Sequence, residues 1–121
     1  MEWNFDDSRP IWPQIKDKLT REIVSGGFEK GSSFPTVREL AEDAKVNRNT
    51  MQRALSELEN DGLVITNRTV GRTVTEDEEL IGKKKMEIAN ACIDSFIEEM
   101  KSMGYSVSEV IDMMKEKEGN K

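Results

Sequence analysis

At 121 residues, with 36% hydrophobic and 35% charged side chains, the chain suits one domain, or one small domain with an appendage. The net charge is −6, with no His and a single Cys, which excludes an intrachain disulfide framework and metal sites built on His or paired Cys. No run approaches the ~18 uninterrupted apolar residues of a membrane span, and the opening residues lack a signal-peptide pattern, so a cytoplasmic protein with a buried Cys92 thiol is expected.

Trp3 and Phe5 open the chain ahead of the polar stretch Asp6 to Arg9, and they fit either a packed tail or an exposed one. Ile11, Ile15, Leu19 and Ile23 share one stripe of a helix predicted from about Pro10 to Ser25. Pro13 falls in its first turn, where a missing N–H is harmless, and Gly26-Gly27 stops it. Phe28 to Pro35 reads as a connector whose Phe28 and Phe34 tuck into the core. Thr36 with Glu39 matches a capping box, and Val37, Leu40, Ala41 and Ala44 form the buried stripe of a second helix ending near Ala44.

Lys45-Val46-Asn47 then makes a three-residue turn before a third helix, the spacing of a helix-turn-helix. Lys45 occupies a turn position that favours Gly, and a left-handed Lys there costs roughly 1 kcal/mol. Asn47 caps the third helix, and Gly62 ends it. Met51, Ala54, Leu55 and Leu58 line one face at i, i+3, i+4, i+7, while Asn49, Gln52, Arg53 and Ser56 line the other. Asn, Gln and Arg are the side chains that make paired hydrogen bonds to adenine or guanine edges in the major groove. One face packs and the other is suited to reading DNA.

Leu63 to Thr66 and Arg72 to Thr75 are β-rich segments around a loop with Gly71 near its end, a hairpin placed as a wing. Arg68 and Arg72 flank its tip, within reach of phosphates, and Gly71 allows close approach of the backbone. After the composition break at Asp77-Glu78-Glu79, a long helix is predicted from about Leu80 to Met103. Its Met86, Ala89, Ile93, Phe96, Met100 and Met103 step by three and four residues, a heptad seam. Gly104 ends it, Ser106 with Glu109 caps a last helix with a Val107, Val110, Ile111, Met114 stripe, and residues 118–121 are expected to fray. Two such helices are too small to form a core alone, so they fold back on the N-terminal part or pair with a second chain, and the seam favours pairing.

The net charge is misleading taken whole. Residues 1–76 carry 11 basic against 13 acidic side chains, and residues 77–121 carry 7 against 11. Within Lys45 to Thr75 the balance reverses, with Lys45, Arg48, Arg53, Arg68 and Arg72 against Glu57, Glu59 and Asp61. A local positive patch on an acidic body can hold phosphates while the rest weakens non-specific binding.

These residues carry a resemblance. Phe34 to Asp43, Val46 to Leu55 and Leu58 to Leu63, together with the upstream Arg9-Pro10-Ile11-Trp12-Pro13-Gln14-Ile15, resemble the GntR-type winged-helix transcription regulators over roughly residues 9–76. The short tail resembles the YtrA-like branch, which implies dimerisation through it. By position, the resemblance implies DNA contacts from Arg38 at the start of the second helix, from Arg48, Asn49, Thr50 and Arg53 on the third, and from Gly71 in the wing. Gln52 stands where the family pattern has Arg, implying adenine rather than guanine there, and Thr69 replaces an earlier wing Gly.

The expected architecture is mainly α with a small β wing: a winged helix-turn-helix over residues 1–76, then a two-helix dimerisation region over residues 77–121. The expected partners are double-stranded operator DNA and a second copy of the chain, with no cofactor and no metal. An enzyme is the weakest reading, since no Gly-rich phosphate loop or recognisable catalytic constellation is present. A winged helix used purely for protein interaction is the alternative. The polar face of the third helix argues against it, because protein interfaces favour aromatics.

Overall fold

The computed structural model describes residues 1–120; Lys121, the last residue of the segment expected to fray, lies outside them. Its elements are α1 (Ile11–Val24), α2 (Val37–Ala44), α3 (Arg48–Asn60), β1 (Val64–Asn67), β2 (Gly71–Val74), α4 (Glu78–Ser102) and α5 (Val107–Gly119). Contacts divide the chain into two compact units, residues 1–85 and residues 86–121, so the first two turns of α4 belong to the first unit.

In the first unit the predicted stripes meet. Ile15, Leu19 and Ile23 of α1, Leu40, Ala41 and Ala44 of α2, and Met51, Ala54, Leu55 and Leu58 of α3 are buried in one cluster with Phe34, Leu63, Val64 and Val74. Burying each large side chain stabilises the fold by ~1.5–3 kcal/mol. Leu80 and Ile81 from the start of α4 pack against that cluster. Gly62 lies against Leu80. It closes α3 with φ +82°, and a Cβ there would meet Leu80 Cδ2 at 3.1 Å.

The local signals act as their chemistry requires. The Thr36 hydroxyl accepts from the Glu39 N–H at 3.1 Å, completing the capping box of α2. Lys45 adopts the left-handed conformation, φ 57° and ψ 47°, and Asn47 caps α3 by accepting from the Asn49 N–H at 2.7 Å. Phe34 is buried and Phe28 half-buried, their ring centroids 4.8 Å apart. The opening tail packs: the Trp3 indole donates to Asp43 of α2 at 2.7 Å and stacks on Phe5. That indole is the main reason the Asp43 carboxyl sits below its ordinary pKa.

Two features escaped the sequence pattern. The connector runs beside β2, with Ser33 bridging Thr73 and the Phe34 N–H donating to the Arg72 carbonyl at 2.8 Å. The Gln14 amide clamps the entry to α1, accepting from the Asp6 N–H at 2.8 Å and donating to the Asp6 carbonyl at 2.9 Å.

The second unit consists of the rest of α4 and α5, joined by a turn at Gly104. Ser106 and Glu109 form the expected capping box. The helix continues to Gly119, so residues 118 and 119 are helical where fraying was expected, and the Asn120 N–H closes the end by donating to the Lys117 carbonyl at 3.3 Å. Val110 is the only buried residue of α5, and α4 has none. Cys92 is exposed, contrary to the expected buried thiol, because it lies on a helix face that this chain does not cover. Among the described residues, no helix is long and apolar enough to cross a membrane.

Candidate nucleic-acid interface

The candidate reading face is built by α3. Its buried stripe fixes the helix against α1 and α2, so the residues between, at 49, 52 and 53, are left facing outward. Arg48, Asn49, Gln52 and Arg53 are exposed, while Thr50 and Ser56 are half-buried. The Gln52 amide donates to the Ser56 hydroxyl at 3.0 Å, an i, i+4 bond that leaves the amide oxygen to accept elsewhere. The Arg53 guanidinium lies over the Trp12 ring of α1, 4.3 Å from its centroid. This contact was not legible in the sequence, since nothing in the α1 stripe marks Trp12 as a neighbour of α3.

Arg38 projects from the first turn of α2, 72% exposed, and pairs with Glu42 at 3.2 Å. Such an exposed pair contributes only ~0.2–0.5 kcal/mol and is readily exchanged for a phosphate.

The wing is a three-residue loop, Arg68 to Val70, closed by the pairing of Asn67 with Gly71. The Asn67 side chain accepts from the Thr69 N–H at 2.9 Å and shapes the turn. Gly71 is there for its positive φ of 82°; a Cβ would meet nothing within 4 Å, so the structure itself contains no close approach at this position. Arg68 is exposed at the tip.

Arg72 differs from the simple expectation of a side chain flanking the tip. It is half-buried and ion-paired with Glu59 of α3, whose carboxylate also accepts from the Thr66 hydroxyl at 2.7 Å. Burial pushes the Glu59 carboxyl upward, but the Thr66 hydroxyl and the Arg72 guanidinium outweigh it and hold the group below the ordinary Glu value. Glu59 thus ties the two wing strands, one step back from the loop, to the end of α3. Sequence reasoning counted it only as an acid opposing the basic patch.

A second ionic tie closes the far end of α3. Asp61 pairs with Lys16 of α1 at 3.0 Å and with Lys84 of α4 at 3.8 Å, both half-buried. Lys84 therefore has a structural partner, whereas the flanking Lys83 and Lys85 are exposed. Among the described residues no group of three or more His, Cys, Asp or Glu side chains is placed to hold a metal ion.

The tail residues expected to pair with a second chain lie at the surface of this one. Met86 is 61% exposed, Ile93 53%, Phe96 42% and Met103 60%; Ala89 is exposed and Met100 half-buried.

Comparison with known proteins gives this arrangement a context. The family described as "Bacterial regulatory proteins, gntR family" matches residues 13–74, from the first turn of α1 to the end of β2. The chain is 34% identical over 115 residues to the uncharacterised HTH-type transcriptional regulator YhcF of Bacillus subtilis, covering 95% of each chain. It is 36% identical over 70 residues to the HTH-type transcriptional repressor YtrA of the same organism, covering 58% of this chain and 54% of that one. A GntR family transcriptional regulator from Listeria monocytogenes superposes with a TM-score of 0.85 at 39% identity, over 93% of this chain and 98% of its own.

Proposed function

The chain belongs to the gntR family of bacterial regulatory proteins and is a DNA-binding transcription regulator, and from that premise we propose that it is a repressor that binds a palindromic operator as a homodimer. The observation that carries this reading is the outward face of α3, where Asn49, Gln52 and Arg53 stand exposed on a helix locked from behind by Met51, Ala54, Leu55 and Leu58. In the major groove these three read base edges, with Gln52 suited to adenine and Arg53 to guanine. Arg38, Arg48, Thr50, Arg68 and Arg72 set the register on the phosphates, and Gly71 brings the wing backbone near the minor groove. The name of the relative YtrA, a repressor, supports the sign of regulation.

Dimerisation is assigned to residues 77–121. The second unit is far too small to be stable by burying its own apolar surface, and it exposes Met86, Ile93, Phe96 and Met103 at heptad spacing. A two-fold pair of reading helices covers half-sites about 34 Å apart, one turn of DNA. The site of action is the cytoplasm, where the operator is.

The test compares wild type with Arg53→Ala on an operator duplex and on random duplex. A loss of ~1–3 kcal/mol confined to the operator is expected if Arg53 pairs with a base. Equal loss on both duplexes would make Arg53 a phosphate contact instead.

A further inference from the structure

We infer that Trp12 is a positioning residue for sequence readout: its indole holds the Arg53 guanidinium by the face and leaves the guanidinium edge for a base. The inference rests on the operator-binding reading above and adds to it a residue on a different helix, outside the reading face.

The guanidinium carbon of Arg53 lies 4.3 Å from the Trp12 ring centroid, well inside the ~6 Å reach of a cation–π contact. The two side chains come from different elements, so the geometry is imposed by packing and not by helical spacing. Trp12 is half-buried against the core cluster at the start of α1, which holds the ring in place. Further along the same two helices Lys16 pairs with Asp61, so α1 and α3 are tied at a second point. Arg53 is exposed, and among the described residues no carboxylate is paired with it; the ring is the contact that the structure gives it.

The chemistry of the stack suits base reading. A guanidinium is planar, with all five N–H donors in its plane, and a ring over its face occupies none of them. A guanine in the major groove presents O6 and N7 to such an edge. An exposed Arg otherwise gives up the freedom of a long side chain when it settles on a base, and the stack removes part of that cost beforehand. A carboxylate partner would restrain the side chain too, but by occupying the donors that a base needs. Lys cannot replace Arg here, because an ammonium has no edge to aim. The consequence is specific. Trp12 governs discrimination at the base pair that Arg53 reads, more than overall affinity for DNA.

The test uses the full chain and an operator duplex with one base pair changed, chosen as the position where Arg53→Ala loses discrimination. Trp12→Leu keeps an apolar side chain and removes the π face, and Trp12→Phe restores a face. Trp12→Leu is expected to lower discrimination at that position about three- to tenfold, with Trp12→Phe close to wild type. Adding Trp12→Leu to Arg53→Ala should change nothing further. Equal loss on both duplexes, or the same loss with Arg53 already removed, would overturn the positioning role.

A second measurement needs no Trp12 variant and no DNA, and so survives any failure of Trp12→Leu to fold. In fluorotryptophan-labelled protein, Arg53→Ala should shift the Trp12 fluorine resonance and leave that of Trp3 in place. An unmoved Trp12 resonance overturns the stack. Discrimination lost in Arg53→Ala but kept in Trp12→Leu overturns the positioning role alone, whereas discrimination kept in Arg53→Ala overturns base reading by α3, and the inference with it.

Discussion

Replacing Glu59 separates what stabilises the wing from what binds DNA. In the structure its carboxylate accepts from the Thr66 hydroxyl and pairs with Arg72, with side chains 29% and 21% exposed for Glu59 and Arg72. Glu59→Ala leaves a half-buried guanidinium without its counter-charge and a hydroxyl without its acceptor. Hydrogen bonds to charged groups contribute ~1.5–3 kcal/mol, and partial exposure to water brings the expected loss down to ~1–1.5 kcal/mol. For a chain of this size that is a fall in melting temperature of about 3–6 °C, measured at fixed protein concentration because assembly adds to stability. Glu59→Gln keeps an acceptor for Thr66 and should lose about half as much.

The pH dependence has a definite sign. The folded-state pKa of Glu59 is depressed, so its contribution is complete above the unfolded value and is lost as pH falls through the folded one. The gap in melting temperature between wild type and Glu59→Gln should therefore be constant near neutrality and close from about pH 5 downward. On DNA, Glu59→Ala frees Arg72 from a carboxylate that competes with phosphate, so affinity at fixed salt should rise while the Arg72 phosphate contact is kept. A Glu59→Ala protein that melts within about one degree of wild type, with the same acid profile, would refute the ionic tie.

Three further outcomes follow from other parts of the molecule. Lys45→Gly should raise stability by ~0.5–1 kcal/mol in urea titrations, since Gly carries no penalty at φ 57°; a loss would show that the Lys stem contributes more than its strain costs. Leu55→Ala, at a fully buried position of α3, should cost ~2–5 kcal/mol, and a cost below 1 kcal/mol would contradict the packing of that stripe. Ile93→Asp with Phe96→Asp should give monomers in sedimentation and weaken operator binding; an unchanged dimer would refute the proposed seam.

Much of this fold was legible because its local signals are independent of tertiary contact. A Thr-x-x-Glu capping box, an Asn cap and a glycine stop each act within a few residues, and four apolar residues at i, i+3, i+4, i+7 define the inner face of α3 without knowledge of its neighbours. The outer face followed by subtraction. What sequence could not supply were pairings between elements far apart in the chain. Trp12 with Arg53, Glu59 with Arg72 and Asp61 with Lys16 depend on how helices and hairpin cross, and a charge count treats each partner as a separate surface group. The Ser33 bridge to Thr73 was hidden for another reason. A single bridge with no alternating pattern leaves the connector indistinguishable from a loop.

The exposure of Cys92 belongs with these cases. A lone Cys is expected to be buried, but whether its helix face is covered within one chain or by a second is decided by chain length and topology.

The most direct test of the central claim is selection of bound duplexes from a randomised pool, carried out at two salt concentrations with the full chain. Enrichment of one two-fold-symmetric site is expected, with half-sites about one helical turn apart and affinity falling steeply as salt rises. A folded dimer that enriches no sequence at either salt would contradict operator binding and return the chain to the protein-interaction reading.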